Sequence, residues 1–218
     1  MTPALRRQGL LIVATLATAY VASHFFRAAN VTIGLDLMRD LHIGPEALGA
    51  LTGAFFFGFS AMQIPAGFFF DRYGPRRTIS ALLMLAVLGA AIFTLAPSWP
   101  VLLTGRTLMG AGFGCMLIGS MIVIARWFPP DWFSTLAGMV LSVGLIGNLI
   151  ATTPLAWGTE QIGWRGVFGI MVAFSVVALV AVWLVVRDAP PGHPFLERKT
   201  ETPGEMLRGL VEVLRTPN

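Results

Sequence analysis

The sequence has little charge and almost no cysteine. Charged residues make up 12% of its 218 residues, and hydrophobic residues make up 56%. A soluble domain carries about 25% charged residues, so this composition excludes an ordinary soluble fold. The mean hydropathy of +0.75 is typical of a chain that crosses a membrane several times. The one cysteine, Cys115, has no intrachain disulfide partner, and we interpret it as a small packing residue.

The sequence also lacks the residue patterns that catalysis and cofactor binding require. It has no paired nucleophile and base, no cysteine–histidine cluster and no nucleotide-binding loop. We therefore predict no enzyme activity, no metal site and no cofactor. The isoelectric point near 10.2 could indicate a nucleic-acid partner. The basic residues lie at the ends of apolar runs rather than on one soluble face. We therefore expect the protein to lie in a lipid bilayer and to bind no nucleic acid.

Six apolar runs are each long enough to cross a bilayer, which takes about 20 helical residues. The predicted helices cover residues 10–37, 47–69, 78–96, 101–124, 134–157 and 167–186. The first run follows two arginines, as in a signal peptide, but it is far longer than the usual apolar region of about 7–15 residues. We expect a tail over 1–9, an all-α bundle over 10–187, and a cytoplasmic linker over 188–218 with an amphipathic helix at 205–215.

The arginines and the lysine are distributed unevenly between the two sides of this bundle. Six spans place both termini on one side, and eleven basic residues fall there against two, Arg39 and Arg165, on the other. Basic residues accumulate on the cytoplasmic side of membrane proteins. We therefore predict a multi-pass protein of a bacterial inner membrane with both termini in the cytoplasm. The eleven are Arg6, Arg7, Arg72, Arg76, Arg77, Arg126, Arg187, Arg198, Lys199, Arg208 and Arg215.

A short, charged loop joins the second and third predicted helices. Its spacing is Gly-x-x-x-Asp-Arg-x-Gly-x-Arg-Arg, formed by Gly67, Asp71, Arg72, Gly74, Arg76 and Arg77. This spacing resembles the signature loop of the major facilitator superfamily of secondary transporters. The resemblance implies the first of two six-helix bundles, each a 3+3 inverted repeat, around a site at mid-membrane. It also implies a gating role in which Asp71 meets a helix N-terminus of the second bundle. The alternative is a set of charges that only fixes topology.

The fourth predicted helix contains a second element of the same kind. Arg106, Gly110 and Gly112 form the spacing Arg-x-x-x-Gly-x-Gly, which is similar to the superfamily's helix 4 signature. The resemblance implies that Arg106 and Gly110 serve proton coupling or helix packing. Small residues at such intervals also mark any close contact between membrane helices, and Arg106 could equally be structural. The fifth helix lacks the Gly-Pro signature of drug–proton antiporters, which argues against that branch.

A polar stripe runs along the first predicted helix. Tyr20, His24, Arg27 and Asn30 recur at spacings of three and four, so they share one face. A charge inside a span costs a few kcal/mol, so Arg27 indicates a function, and a guanidinium can hold a carboxylate by two hydrogen bonds. The segment resembles helix 1 of organic-anion symporters in the superfamily, which implies that Arg27 binds the substrate's anionic group. Alternatively, Arg27 extends to the interface, and His24 is a proton carrier or a simple hydrogen-bonding residue.

Other polar groups in the spans are few. Gln63, Asn148 and Thr152 could each face the transport pathway or join two helices by hydrogen bonds. No acidic residue lies in the interior of a predicted span. If transport is proton-coupled, the carboxylate could lie in a second bundle.

Together these features predict the N-terminal half of a secondary transporter. We expect it to move a small, anionic organic solute by alternating access, coupled to an ion or a proton, as a symporter. The chain ends where a seventh helix would begin, so it should pair with a C-terminal half or with another copy of itself. The alternative is a truncated or remnant membrane protein without transport activity, or an assembly partner.

Overall fold

The computed structural model describes residues 2–196, and in that range the chain is helical without any strand. The predicted amphipathic helix at 205–215 and the linker beyond residue 196 lie outside the described residues. The helices are α1 (Pro3–Thr32), α2 (Gly34–Leu41), α3 (Pro45–Thr94), α4 (Trp99–Phe113), α5 (Met116–Trp127), α6 (Pro130–Ile150) and α7 (Thr153–Val185), followed by a 3₁₀ turn at Pro194–Leu196.

Two of these helices are too long for one membrane crossing and are interrupted by a glycine. The 50 residues of α3 would extend about 75 Å if straight, but Gly74 breaks the helix with φ 78° and ψ 164°. Gly163 breaks α7 in the same way, with φ 72° and ψ 159°. Five helical stretches are long and apolar enough to cross a membrane, and dividing α3 at Gly74 gives six. The predicted all-α bundle of six membrane helices is confirmed.

We number these crossings as spans. Span 1 is α1, and span 4 combines α4 with α5. Residues 45–73 and 75–94 of α3 form spans 2 and 3. Span 5 is α6 continued by residues 153–162, and span 6 is residues 164–185 of α7.

Two of the helices begin several residues before the apolar runs that predicted them. Span 1 starts at Pro3, seven residues before the predicted start, so most of the predicted tail over 1–9 is helical. The Thr2 hydroxyl accepts a hydrogen bond from the Leu5 N–H at 3.4 Å, and proline at the first position suits a helix start. Span 5 likewise starts with a proline, Pro130, although no side chain caps this helix start. Hydropathy marks only the segment in the membrane, and a helix can continue into the polar region beyond it.

Glycines bring the spans into close contact. A Cβ atom at Gly110 in span 4 would meet the Phe55 carbonyl of span 2, and one at Gly112 would meet Leu82 and Ala86 of span 3. Span 4 therefore packs against both neighbours at backbone distance. Phenylalanine rings fill the centre of the bundle, where Phe26 stacks on Phe113 with centroids 5.5 Å apart.

The two glycine breaks form equivalent turns at opposite ends of the bundle. At one end, the Arg76 N–H donates to Asp188 Oδ1 at 2.8 Å, and Arg76 Nε donates to the Trp183 carbonyl at the end of span 6 at 2.9 Å. At the other end, Arg165 donates to Asp40 Oδ2 at 2.7 Å and to the Ala96 carbonyl, just after span 3, at 3.1 Å. Each turn thus ties one group of three spans to the last span of the other group, as an inverted repeat requires.

Candidate functional site

Polar atoms without partners concentrate on one short segment of span 1. Among residues 2–196, four buried side-chain atoms between residues 23 and 30 have no hydrogen-bond partner: Ser23 Oγ, His24 Nε2, Arg27 Nε and Asn30 Oδ1. Buried polar groups in proteins are normally hydrogen-bonded, because leaving one unpaired costs about 1–3 kcal/mol. This segment therefore has an unused capacity for hydrogen bonds, and we call residues 20–30 the polar segment of span 1.

Tyr20 and His24 face span 5. Their rings meet edge to face with centroids 4.6 Å apart, and His24 Nδ1 lies 3.3 Å from Asn148 Oδ1. Because an amide oxygen can only accept, Nδ1 carries the hydrogen in this pair. Gly144 and Gly147 permit the contact, since a Cβ at either would meet Tyr20 or His24. The structure therefore brings three of the predicted site residues together between spans 1 and 5.

Arg27 lies one turn further along span 1 and faces span 2. Its guanidinium carbon is 5.2 Å from the centre of the Phe59 ring, which is a cation–π distance. Its charge also acts on Tyr20 and His24. Arg27 has no carboxylate partner among the described residues, where the ion pair is Arg165 with Asp40. Half-buried and without an acid to neutralise it, Arg27 can bind an anion.

Asn30 and Gln63 both make contacts between spans. The Asn30 amide donates to Thr52 Oγ1 of span 2 at 3.0 Å and to the Leu48 carbonyl at 3.4 Å. The Gln63 amide donates to the Gly114 carbonyl at 3.2 Å, where span 4 is interrupted between α4 and α5. Each side chain keeps capacity for another partner, so these bonds leave their predicted contact with a solute untested.

Span 5 is interrupted between α6 and α7, and a side chain from another span also bonds to the carbonyl at this interruption. The Thr32 hydroxyl of span 1 donates to the Ala151 carbonyl at 2.6 Å, between α6 and α7. The predicted pathway residue Thr152 bonds locally, to the Leu149 carbonyl at 2.7 Å. The sequence interpretation missed Thr32, Thr52 and Phe59 as neighbours of the polar segment. Pro154 was the one signal for the break, since proline cannot donate to the helix.

Arg106 is 1% exposed and reaches the polar segment from span 4. One terminal nitrogen donates to the Phe26 carbonyl at 2.6 Å, directly before Arg27 in the chain. The guanidinium lies 4.9 Å from the centre of the Phe55 ring and 5.7 Å from that of Phe93. A second arginine thus touches the backbone that carries Arg27. With Gly110 at the closest approach of spans 2 and 4, these contacts fit packing, and they leave a part in coupling untested.

The signature-loop residues differ in what they contact. Gly74 adopts a positive φ and Arg76 holds Asp188, as described above. Asp71 and Arg77 are exposed, and Gly67 has open space where a Cβ would lie. Arg72 lies over the Tyr73 ring at 5.4 Å. The loop is therefore fixed to span 6 through Arg76, whereas Asp71 and Arg77 are exposed.

Two cavities among the described residues lie away from the polar segment. One of about 440 Å³ is a groove between spans 2 and 3, and another of about 540 Å³ lies beside residues 3–14 of span 1. Neither includes Arg27. The chemistry inferred for the polar segment therefore rests on its unpaired atoms and not on either of these cavities.

Six membrane-length helices in two linked groups of three, with a buried polar segment in span 1, define the class of polytopic membrane transport proteins. The family follows from the sequence: the family model of the Major Facilitator Superfamily matches residues 16–218. The chain belongs to this superfamily, as its signature loop predicts. It is a transporter-family protein and not an enzyme.

The chain is similar to several curated transporters, of which it spans less than half. It is 25% identical over 183 residues to the probable galactarate/D-glucarate transporter GudP of Escherichia coli (strain K12), covering 79% of this chain and 40% of the relative. It is 28% identical over 185 residues to vesicular glutamate transporter 2 of Homo sapiens, covering 79% and 31%.

Solved transporters share the fold. The chain matches a bacterial homologue of the human lysosomal transporter Spinster, in an inward-facing and unoccupied conformation, with a TM-score of 0.74. That match is 20% identical and covers 94% of this chain and 47% of the other. The peptide-transporter-family structure PepTSo matches with a TM-score of 0.72 at 22% identity, covering 97% and 43%.

Proposed function

We propose that this chain is the N-terminal bundle of a secondary transporter that moves a small organic anion by alternating access. The observation that carries this proposal is Arg27, a half-buried cation inside span 1 without an acidic partner in the described residues. A charge in such a position is costly, and a substrate carboxylate would neutralise it. In this proposal Tyr20, His24 and Asn148 contact the solute from the side of span 5, and Gln63 contacts it from span 2.

The names of several relatives support a hydroxylated or amino-substituted carboxylate as the solute. Four of them are named as probable galactarate/D-glucarate transporters and three as vesicular glutamate transporters. A solute of this kind offers a carboxylate to Arg27 and hydroxyl or amino groups to the remaining hydrogen-bonding atoms of the polar segment. His24 Nε2 and Asn30 Oδ1 are acceptors of the correct type for such donors.

Coupling and assembly complete the proposal. The ion or proton that drives transport would bind partly in a second six-helix bundle, since the interiors of these six spans carry no carboxylate. That bundle would be a C-terminal half or a second copy. The exposed Asp71 is available to meet a helix N-terminus there, as the signature loop implies. The protein would lie in a bacterial inner membrane with both termini in the cytoplasm.

Uptake into proteoliposomes tests this proposal. The chain is reconstituted alone and together with the protein sequence encoded downstream, and uptake of radiolabelled glucarate, glutamate and a neutral sugar is compared. We expect uptake of an acid but not of the sugar. Arg27→Gln should abolish that uptake. Arg39→Gln also removes one arginine, but Arg39 is exposed and lies in α2, between spans 1 and 2, so this control variant should retain uptake. Equal uptake by Arg27→Gln would overturn the assignment of the anion site.

A further inference from the structure

The groove between spans 2 and 3 is apolar along its length and basic at one end. It has a volume of about 440 Å³ and is lined by Phe69, Tyr73, Arg77, Thr78, Ala81, Leu82, Met84, Leu85 and Leu88. Nothing in the proposed transport mechanism uses it. Arg77 is its one charged residue, and the exposed Tyr73 lines the same groove.

Arg77 differs from the other two arginines of the loop in having no hydrogen-bond or ion-pair partner among residues 2–196. Arg76 bonds to Asp188 and to the Trp183 carbonyl, and Arg72 also interacts with other residues. Arg77 is exposed and makes no hydrogen bond or ion pair within residues 2–196. Its guanidinium is therefore available to a phosphate, which it can hold by two hydrogen bonds.

The length of the groove matches one leaflet of a bilayer. From Arg77 to Leu88 span 3 rises about 16 Å along its axis. Half of a typical hydrocarbon core is about 15 Å. Arg77 and Tyr73 then lie at the level of the lipid headgroups, where tyrosine is enriched, and Leu88 lies near mid-membrane.

From these features we infer that the groove binds one anionic phospholipid of the leaflet on the basic side of the protein. The phosphate lies on Arg77 beside the Tyr73 ring, and one acyl chain follows Ala81, Leu85 and Leu88. Charge complementarity selects an anionic over a zwitterionic lipid, because a choline or ethanolamine ammonium would place a second cation near Arg77.

Thermal unfolding of the purified, detergent-solubilised chain tests this inference with three additives. These are dimyristoyl phosphatidylglycerol, dimyristoyl phosphatidylcholine, and glycerophosphate as a soluble phosphate without chains. We expect phosphatidylglycerol to raise the unfolding temperature most and glycerophosphate to leave it unchanged. The half-saturating lipid concentration is then read from a titration, and native mass spectrometry counts the lipids that remain bound.

Two variants test the basic end and the apolar length of the groove separately, and a third variant serves as a control. Arg77→Gln should raise the half-saturating concentration of phosphatidylglycerol about fivefold, which corresponds to one arginine near an anionic surface. Ala81→Phe fills the groove and should remove the retained lipid without changing any charge. Arg39→Gln, which also removes an exposed arginine but lies far from the groove, should bind as the wild type does.

Three outcomes would overturn the inference. Equal binding of phosphatidylcholine would remove the charge argument, and an equal loss in Arg39→Gln would reduce the effect to net charge. Retention of phosphatidylglycerol by Ala81→Phe would show that the lipid binds outside the groove, which would leave the groove to a second bundle, a second copy or another segment of this chain.

Discussion

Gly74 and Gly163 adopt nearly the same backbone conformation at opposite ends of the bundle. Their φ values are 78° and 72°, and their ψ values are 164° and 159°. Each is followed two residues later by an arginine that binds a carbonyl at the end of a distant span, Trp183 for Arg76 and Ala96 for Arg165. The two turns share the spacing Gly-x-Arg, although the residues around it differ, and this likeness fits the inverted repeat.

Replacing Gly74 with alanine should destabilise the bundle more than the same change at Gly163. Both positions combine a positive φ with a ψ near 160°, a region essentially restricted to glycine, and holding another residue there costs about 1–3 kcal/mol. At Gly74 the new Cβ would also lie 2.6 Å from Asp188 Oδ1, whereas at Gly163 it would meet open space. Thermal unfolding in detergent measures the difference. Equal losses in the two variants would show that the contact with Asp188 adds nothing.

Replacing a helix glycine with alanine should lower stability where the glycine lies in a close contact and raise stability where it faces open space. Gly110→Ala should lower stability by more than about 1 kcal/mol, because its Cβ would collide with the Phe55 carbonyl. Gly53→Ala, on the same pair of spans but with nothing within 4 Å, should raise it by up to about 1 kcal/mol through helix propensity. A loss at Gly53 comparable with that at Gly110 would contradict the packing that the structure gives.

The acceptor role of Asp40 should matter more than its charge. Its Oδ2 accepts from Trp164 Nε1 at 2.8 Å and from Arg165 at 2.7 Å, but the ion pair is about 40% exposed on each side. Asp40→Asn should therefore cost less than about 1 kcal/mol, and added salt should reduce the difference.

Asp40→Ala should cost more than Asp40→Asn, about 1–3 kcal/mol, because Trp164 is 3% exposed and its N–H would be left unpaired. Unfolding curves of both variants at low and high salt provide the measurement. A penalty that is the same for asparagine and alanine would mean that the ion pair, and not the tryptophan bond, dominates.

Substitution of Arg106 should separate stability from transport. Arg106 is buried between Phe55 and Phe93 without an acid among the described residues, so an apolar side chain of similar length removes a desolvated charge. Arg106→Met should fold with near wild-type stability, while Arg106→Ala should lose about 2–5 kcal/mol to a cavity.

In the uptake assay Arg106→Met should nevertheless transport more slowly, because the Phe26 carbonyl, directly before Arg27 in the chain, loses its hydrogen bond from span 4. Uptake rates and unfolding temperatures measured on the same preparations make the comparison. Wild-type uptake by Arg106→Met would limit Arg106 to packing, the alternative that its sequence context leaves open.

The sequence predicted the number of spans and the signature loop because both depend on local composition. Hydropathy reports which residues face lipid or core, and the loop spacing is a short motif. The start at Pro3 and the breaks at Gly114 and Ala151 were not predicted, since they depend on caps and on contacts between spans. The partners of Arg27 could not be predicted either, because helical spacing gives a face but not the neighbour that it meets.

The paired glycine turns have a mechanical consequence. Because Arg76 reaches span 6 at one face of the membrane and Arg165 reaches the end of span 3 at the other, sliding of one three-helix group past the other is resisted at both faces. The two contacts therefore hold the two three-helix groups together at both membrane faces. We expect the six spans to move as one rigid body, with little sliding between the two groups.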